Sequence, residues 1–147
     1  MTRPDDDAAP PVRWSTVLDV GSLRVRVRPG SGYAVEQAWF DVRLDARSGT
    51  FAGSVESAWF VEDLTALRAA VVGVSAAVDR VAFVVGGHRS AELRLAGGAT
   101  AGEEQWVTAW LTPNGDDPHP ALEILVWVTP AALVAHLAEL DALLPGS

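Results

Sequence analysis

The most polar stretch of the chain, NGDDPHPALE from position 114, holds the residues whose types come closest to metal chemistry. Asp116, Asp117 and His119 stand close together, and Glu123 follows them. Carboxylate and imidazole groups are ligands of zinc and magnesium. Asn, Gly, Asp and Pro also favour tight turns, and no pair of histidines at helical spacing supports a metal. A hairpin loop is therefore the favoured interpretation, and a metal site at Asp116, Asp117 and His119 is the alternative.

The other reactive side chains match no known catalytic pattern. His88 and Ser90 follow a Gly-Gly pair, but no Gly-x-Ser-x-Gly turn surrounds the serine. The chain has no cysteine, which excludes a thiolate nucleophile and a thiolate metal site. The glycine pairs are not followed by a helix that carries lysine, as a phosphate-binding loop requires. We therefore expect no enzymatic activity, no catalytic residue and no cofactor.

Composition and charge bound the kind of protein. The chain has 147 residues, of which 49% are hydrophobic, and this fits one globular domain. Residues 1–12 show no periodicity and predict a disordered arm, and 13–147 predict a single domain. A net charge of −8 opposes binding to nucleic acid and favours a basic protein partner. No signal segment or membrane span is apparent, so we expect a cytoplasmic protein without a membrane partner.

Strict alternation of apolar and polar residues predicts the strands. Leu23, Val25 and Val27 alternate with three arginines, and the arginine row is typical of a solvated strand face or of a protected sheet edge. The segments QAWFDVRLDA and FAGSVESAWF flank the turn composition Arg-Ser-Gly-Thr and predict an antiparallel hairpin. The stretch ALEILVWVT is almost wholly apolar, which predicts a central strand buried on both faces.

Two segments predict helices that follow directly on strands. In the first, Leu64, Leu67, Val71 and Val74 recur at helical spacing; in the second, Thr129 and Pro130 form an N-terminal capping signal. The fold class predicted is α+β, with a twisted, mainly antiparallel sheet of about seven or eight strands and two helices packed on one face. A partly closed barrel is the structural alternative.

A shift of the chain by 68 residues suggests two related halves. It places Glu36 and Gln37 on Glu104 and Gln105, and Trp59 on Trp127. In each half a helical pattern begins soon after the tryptophan. Residues 36–74 and 104–144 are therefore a possible pseudo-repeat, although three identities in a chain rich in Ala and Val can also arise by chance.

Four residues form the candidate partner-binding site: Trp39, Asp41, Glu62 and Asp63. Trp39 lies on the polar face of its predicted strand, where an aromatic residue can anchor a protein partner. The alternative is that a helix covers Trp39. Glu62 and Asp63 fall in the first turn of the first helix, where carboxylates also stabilise the helix dipole.

The succession QAWFDVRLDARSGTFAGSVESAWFVEDLTALRAAVVGV, AELRL and ALEILVWVTPAALVAHLAELDALL resembles a set of small, mostly actinobacterial proteins of unknown function and, beyond them, the WapI-like immunity proteins, which neutralise contact-delivered bacterial toxins. The likeness covers about residues 36–144 and depends on hydrophobic patterning together with Glu62, Asp63 and Leu64. The resemblance implies a protein that acts by binding a basic toxin domain. It carries over no catalytic residue.

Overall fold

The computed structural model describes residues 13–30, 39–87, 90–97, 105–113 and 122–144. Within these ranges the chain forms eight strands, one long helix and two short helices. The strands are β1 (Ser15–Asp19), β2 (Leu23–Pro29), β3 (Trp39–Ser48), β4 (Phe51–Phe60), β5 (Val81–Gly86), β6 (Glu92–Gly97), β7 (Gln105–Thr112) and β8 (Leu122–Val128). The helices are α1 (Val61–Ala76), α2 (Pro130–Leu133) and α3 (Leu137–Leu143).

The strands form two antiparallel sheets of four. The first sheet has the order β1-β2-β3-β4 and the second has the order β5-β6-β7-β8. The α+β class and the antiparallel pairing agree with the prediction, but the strands do not form one sheet. Because α1 separates β4 from β5 along the chain, the first meander ends at β4 and a second one begins after the helix.

Alternation decides which side of each strand meets the core. In the first sheet, Leu23, Val25 and Val27 are buried, while the arginines between them point outward. The inner residues of both sheets and of the helices belong to one apolar cluster, in which β3 and β8 approach each other. The two sheets therefore share a single core, which neither could close alone.

Each helix packs against the sheet of the other half. α1 lies mainly on β5, where the ring of Phe83 is so close to Gly73 that a Cβ there would come 2.3 Å from it. α2 and α3 lie on β1 and also contact α1. An ion pair of 2.6 Å between Arg68 and Asp141 joins α1 to α3. The predicted packing of both helices on one face of one sheet is therefore not confirmed.

The C-terminal segment begins as expected and then departs from the prediction. Thr129 accepts a hydrogen bond of 3.1 Å from the backbone N–H of Ala132, and Pro130 occupies the first helical position. A turn at residues 134–136 then divides the predicted single helix into α2 and α3. The prediction that β8 is a central strand is wrong, because β8 is an edge strand with exposed Leu125 and Trp127.

A backbone clamp at Ala91 joins the two sheets. The indole N–H of Trp59 donates to the carbonyl oxygen of Ala91 at 2.9 Å, and the N–H of Ala91 donates to Ser57 Oγ at 2.9 Å. Trp59 and Ala91 are completely buried. Two side chains of β4 thus satisfy both backbone groups of the residue that precedes β6.

The predicted arm, 1–12, lies outside the described residues. Four antiparallel strands followed by a helical segment occur twice in the element order, but a duplication of 36–74 as 104–144 stays a prediction. Trp59 is buried, whereas Trp127 is 48% exposed, so the equivalence does not extend to their surroundings. No helix of the described part of the chain is long and apolar enough to cross a membrane.

Candidate functional site

The predicted partner-binding residues meet at one end of the first sheet. Trp39 begins β3 and lies opposite Phe60, the last residue of β4, and Asp41 lies opposite Ala58. Because α1 begins immediately after Phe60, Glu62 and Asp63 follow at the same end. We call Trp39, Asp41, Phe60, Glu62 and Asp63 the Trp39–Phe60 corner.

The indole of Trp39 lies close against the backbone of Gly30. A Cβ at Gly30 would fall 1.5 Å from Nε1 of the indole, so only glycine permits this contact. The N–H of Gly30 also donates to the carbonyl oxygen of Trp39 at 3.1 Å. The indole nitrogen is buried and has no hydrogen-bond partner among the described residues. Trp39 is therefore a partly buried platform rather than a freely projecting anchor.

Phe60 is the exposed aromatic residue of the corner, and it is absent from the predicted site. Its side chain is 46% exposed, although its neighbour Trp59 is completely buried. The signal was available, because strand alternation places Phe60 on the opposite face from Trp59 and on the same face as Glu56. An exposed phenyl ring at this position gives the corner its apolar centre.

The two acidic residues of α1 differ in what they already do. Asp63 Oδ2 accepts a hydrogen bond of 2.9 Å from the backbone N–H of Phe60, which closes the N-terminus of the helix. Glu62 is exposed. Asp63 therefore has a structural role, and its role in partner binding stays a prediction, while Glu62 is exposed and available to a partner.

Asp41 is partly neutralised within the chain. Nε of Arg28 lies 3.3 Å from Asp41 Oδ2 and forms a hydrogen-bonded ion pair with it. The guanidinium of Arg28 also lies over the ring of Trp14, 4.3 Å from its centroid, which is cation–π geometry. A partner that approaches Asp41 therefore also meets the guanidinium of Arg28 and the ring of Trp14 beneath it.

Further along the outward face of the first sheet, the carboxylate of Asp45 forms ion pairs with several arginines. Asp45 forms ion pairs with Arg26 at 2.7 Å, Arg43 at 3.2 Å and Arg24 at 3.9 Å, and it accepts a hydrogen bond from Ser54. Burial raises the pKa of Asp45, but the hydrogen bonds from Ser54, Arg26 and Arg43 outweigh it and lower the pKa to about 2. The arginine row is thus paired with carboxylates of its own sheet.

An open groove of about 550 Å³ lies at the turn end of the first sheet, away from the corner. Its charged lining residues are Asp19, Arg24, Asp45 and Arg47, and the others are small. Most of the lining is exposed, so the groove does not enclose a ligand in the way that a typical small-molecule pocket does. It can offer ionic contacts but little apolar burial.

The alternative metal residues, Asp116, Asp117 and His119, lie outside the described residues. In the part of the chain that the structure describes, no three His, Asp or Glu side chains are placed to hold a metal ion together.

The outward face of the second sheet carries further exposed apolar residues. Val84 is 53% exposed and Leu125 is 56% exposed. On β7 and β8 of the same sheet, the indole N–H of Trp110 donates to Glu123 Oε2 at 2.9 Å. This face is more apolar than the first sheet's outward face, which is dominated by paired charges.

The charge of the chain is distributed unevenly. The described residues contain eleven acidic and nine basic side chains, a balance of −2, so −6 of the total −8 lies in the other segments.

Comparison with protein-family models and with curated proteins finds no match for this chain. Any functional conclusion therefore depends on the site itself.

Proposed function

We propose that this chain is a non-enzymatic protein-binding domain of the immunity type, and that its partner is a basic protein docking on the Trp39–Phe60 corner. The observation that carries the proposal is the 46% exposure of Phe60 beside three carboxylates of the corner. Interfaces concentrate their binding energy in a few aromatic residues surrounded by polar ones. The proposal includes a cytoplasmic location and no cofactor, nucleic-acid or membrane partner.

Charge supports a basic partner. Glu62 is exposed at the corner. Glu56, on the same face of β4 as Phe60, forms an ion pair of 3.7 Å with Arg43, but its side chain is 69% exposed. The net charge of −8 adds a long-range attraction for a positively charged protein. Complementary charge accelerates association and excludes acidic competitors. We therefore expect affinity for the partner to fall as salt concentration rises.

The contribution of Phe60 follows from burial. Covering a phenylalanine side chain contributes about 1.5–3 kcal/mol. Truncation to alanine therefore lowers affinity by roughly 10-fold to 100-fold, since every 1.4 kcal/mol is tenfold. The fold is retained, because the phenyl ring is half in solvent already.

The test begins with the genes that neighbour this one, and a toxin domain encoded there is produced together with this protein. Co-expression should rescue growth, and isothermal titration should give a 1:1 complex that Phe60→Ala weakens at least tenfold. The matched control is Val78→Ala, which truncates another exposed apolar residue, 84% exposed, in the connection after α1. Absence of an adjacent toxin gene, failure of rescue, or equal affinity of the two variants contradicts the proposal.

The alternative function is a small-molecule or metal-binding domain. The observation in its favour is the groove with its two arginines and two aspartates. The metal form of this alternative concerns Asp116, Asp117 and His119 rather than the groove. Stoichiometric metal in the purified protein, or a rise in melting temperature with divalent ions that Asp116→Asn or His119→Ala abolishes, would support it. Metal below stoichiometric amounts, together with an unchanged melting temperature, would contradict metal binding.

A further inference from the structure

The four edge strands of the two sheets differ in what covers them. β1 lies against α2 and α3, β5 lies against α1, and β8 approaches β3 of the first sheet. β4, with ten residues, pairs only with β3; it contacts α1, and its Ser57 and Trp59 side chains bond to the backbone of Ala91. In the described part of the chain, no backbone group of 52–58 forms a hydrogen bond with the backbone of any element besides β3.

The free edge of β4 is accessible and regular. Ala52, Gly53, Ser54, Glu56 and Ala58 are all exposed. A Cβ at Gly53 would meet no atom within 4 Å. The pairing with β3 continues without a bulge from Phe51 to Phe60, and the strand contains neither proline nor lysine. Proteins usually protect an edge with those residues or with a bulge, because a regular free edge accepts another strand.

We propose that β4 accepts an extended, basic segment of the partner protein as an additional strand of the first sheet. This inference rests on the proposed function and specifies how the partner extends from the Trp39–Phe60 corner. Residues 52–58 offer about three or four positions whose N–H and C=O groups point away from β3, because these groups alternate along an antiparallel strand. Backbone bonding of this kind gives affinity, and alternate side chains give specificity.

Charge argues for a basic segment rather than for a second copy of this chain. Glu56 points outward from β4 and forms an ion pair of 3.7 Å with Arg43 of β3, but its side chain is still 69% exposed. Glu62, also exposed, follows at the end of the strand. Alternate basic side chains of an added strand would lie beside these carboxylates. Two copies of the chain would instead bring together molecules of net charge −8, each with Glu56 on the paired strand.

The test uses the full chain and a synthetic acetylated peptide of alternating Arg and Val, the same alternation that Arg24 to Arg28 show in β2. Affinity is measured by titration, and amide hydrogen exchange is followed with and without the peptide. We expect slower exchange within 52–58. A peptide of the same sequence with every backbone nitrogen methylated keeps the charges but cannot donate, and it should bind at least tenfold more weakly.

Two variants test the role of charge. Glu56→Gln should weaken the peptide several-fold, whereas Glu139→Gln, the same change at an exposed residue of α3, should not. The inference is overturned if the methylated peptide binds equally well, if exchange in β4 is unchanged, or if both variants have the same effect. Protection of β4 that depends on protein concentration without peptide would assign the edge to a second copy and overturn it also.

The outcomes separate this inference from the proposed function. Peptide protection of β4 together with no toxin binding would contradict the proposed function alone. Rescue that depends on Phe60, together with unchanged exchange in β4 in the toxin complex, would contradict strand addition alone.

Discussion

Replacing Trp59 by phenylalanine tests the clamp between the sheets. The substitution removes the indole N–H and leaves the carbonyl oxygen of Ala91, at present bonded at 2.9 Å, buried without a donor. An unsatisfied buried acceptor costs about 1–3 kcal/mol. The smaller ring adds a void in a site that is 0% exposed, although less than the 3–5 kcal/mol that truncation to alanine typically costs. We expect a total loss of about 2–4 kcal/mol.

The assay is urea unfolding at pH 7 followed by far-ultraviolet circular dichroism. The midpoint should fall while the m-value stays constant, since the surface exposed on unfolding hardly changes. The control is Trp127→Phe, the same change at a residue that is 48% exposed, and it should have a clearly smaller effect. A loss below about 0.5 kcal/mol for Trp59→Phe, or equal losses for both variants, would refute the reasoning.

Ser57→Ala tests the second hydrogen bond that β4 makes with Ala91. It removes the acceptor of the Ala91 N–H, bonded at 2.9 Å, and should also cost about 1–3 kcal/mol. Both side chains act on Ala91, so the double variant should lose measurably less or more than the sum of the single variants. An additive result would show that the two bonds hold Ala91 independently.

Three further predictions concern other parts of the fold. Asp45→Asn should lower the free energy of unfolding at pH 7 by roughly 2 kcal/mol, because the folded pKa of Asp45, about 2, lies below the usual 3.8. This stabilisation is present above pH 4 and is lost as pH falls toward 2. Wild type and variant should therefore converge in stability when unfolding is measured in acid. Gly73→Ala should destabilise by about 1–3 kcal/mol in thermal melts despite the better helix propensity of alanine, since its Cβ would lie 2.3 Å from Phe83; a stabilised variant would contradict that packing. Arg68→Ala should cost less than about 1 kcal/mol, and 1 M salt should abolish the difference, because its ion pair with Asp141 is partly exposed.

The strand faces were predictable because alternation is a local property. Leu23 and Val25 are buried and the arginines beside them point outward, as period two requires. Leu64, Leu67, Val71 and Val74 are all buried on α1, as period 3.6 requires. The division into two sheets was not predictable, because apolar periodicity does not state which strands are neighbours. For the same reason, the apolar run of β8 predicts a central strand, whereas the structure has an edge strand there.

The candidate site was predicted only in outline. Trp39 and Asp41 do share a face, and that follows from alternation. Their partners depend on strand register, which no local pattern reveals: Arg28 reaches Asp41 because the two residues lie opposite each other across β2 and β3. Phe60 is absent from the predicted site because alternation places Trp59 and Phe60 on opposite faces but does not state which of the two faces is exposed.

The exchange of helices between the two halves makes this chain a natural candidate for a split reporter. The segment through α1 and the segment from β5 onward do not each have a hydrophobic core of their own, because the helix of each segment packs on the sheet of the other. Cleavage between Val78 and Asp79, both exposed, would leave every strand and helix intact. Such fragments should be unstructured when apart and should reconstitute when they are brought together, so each would report the proximity of whatever it is fused to.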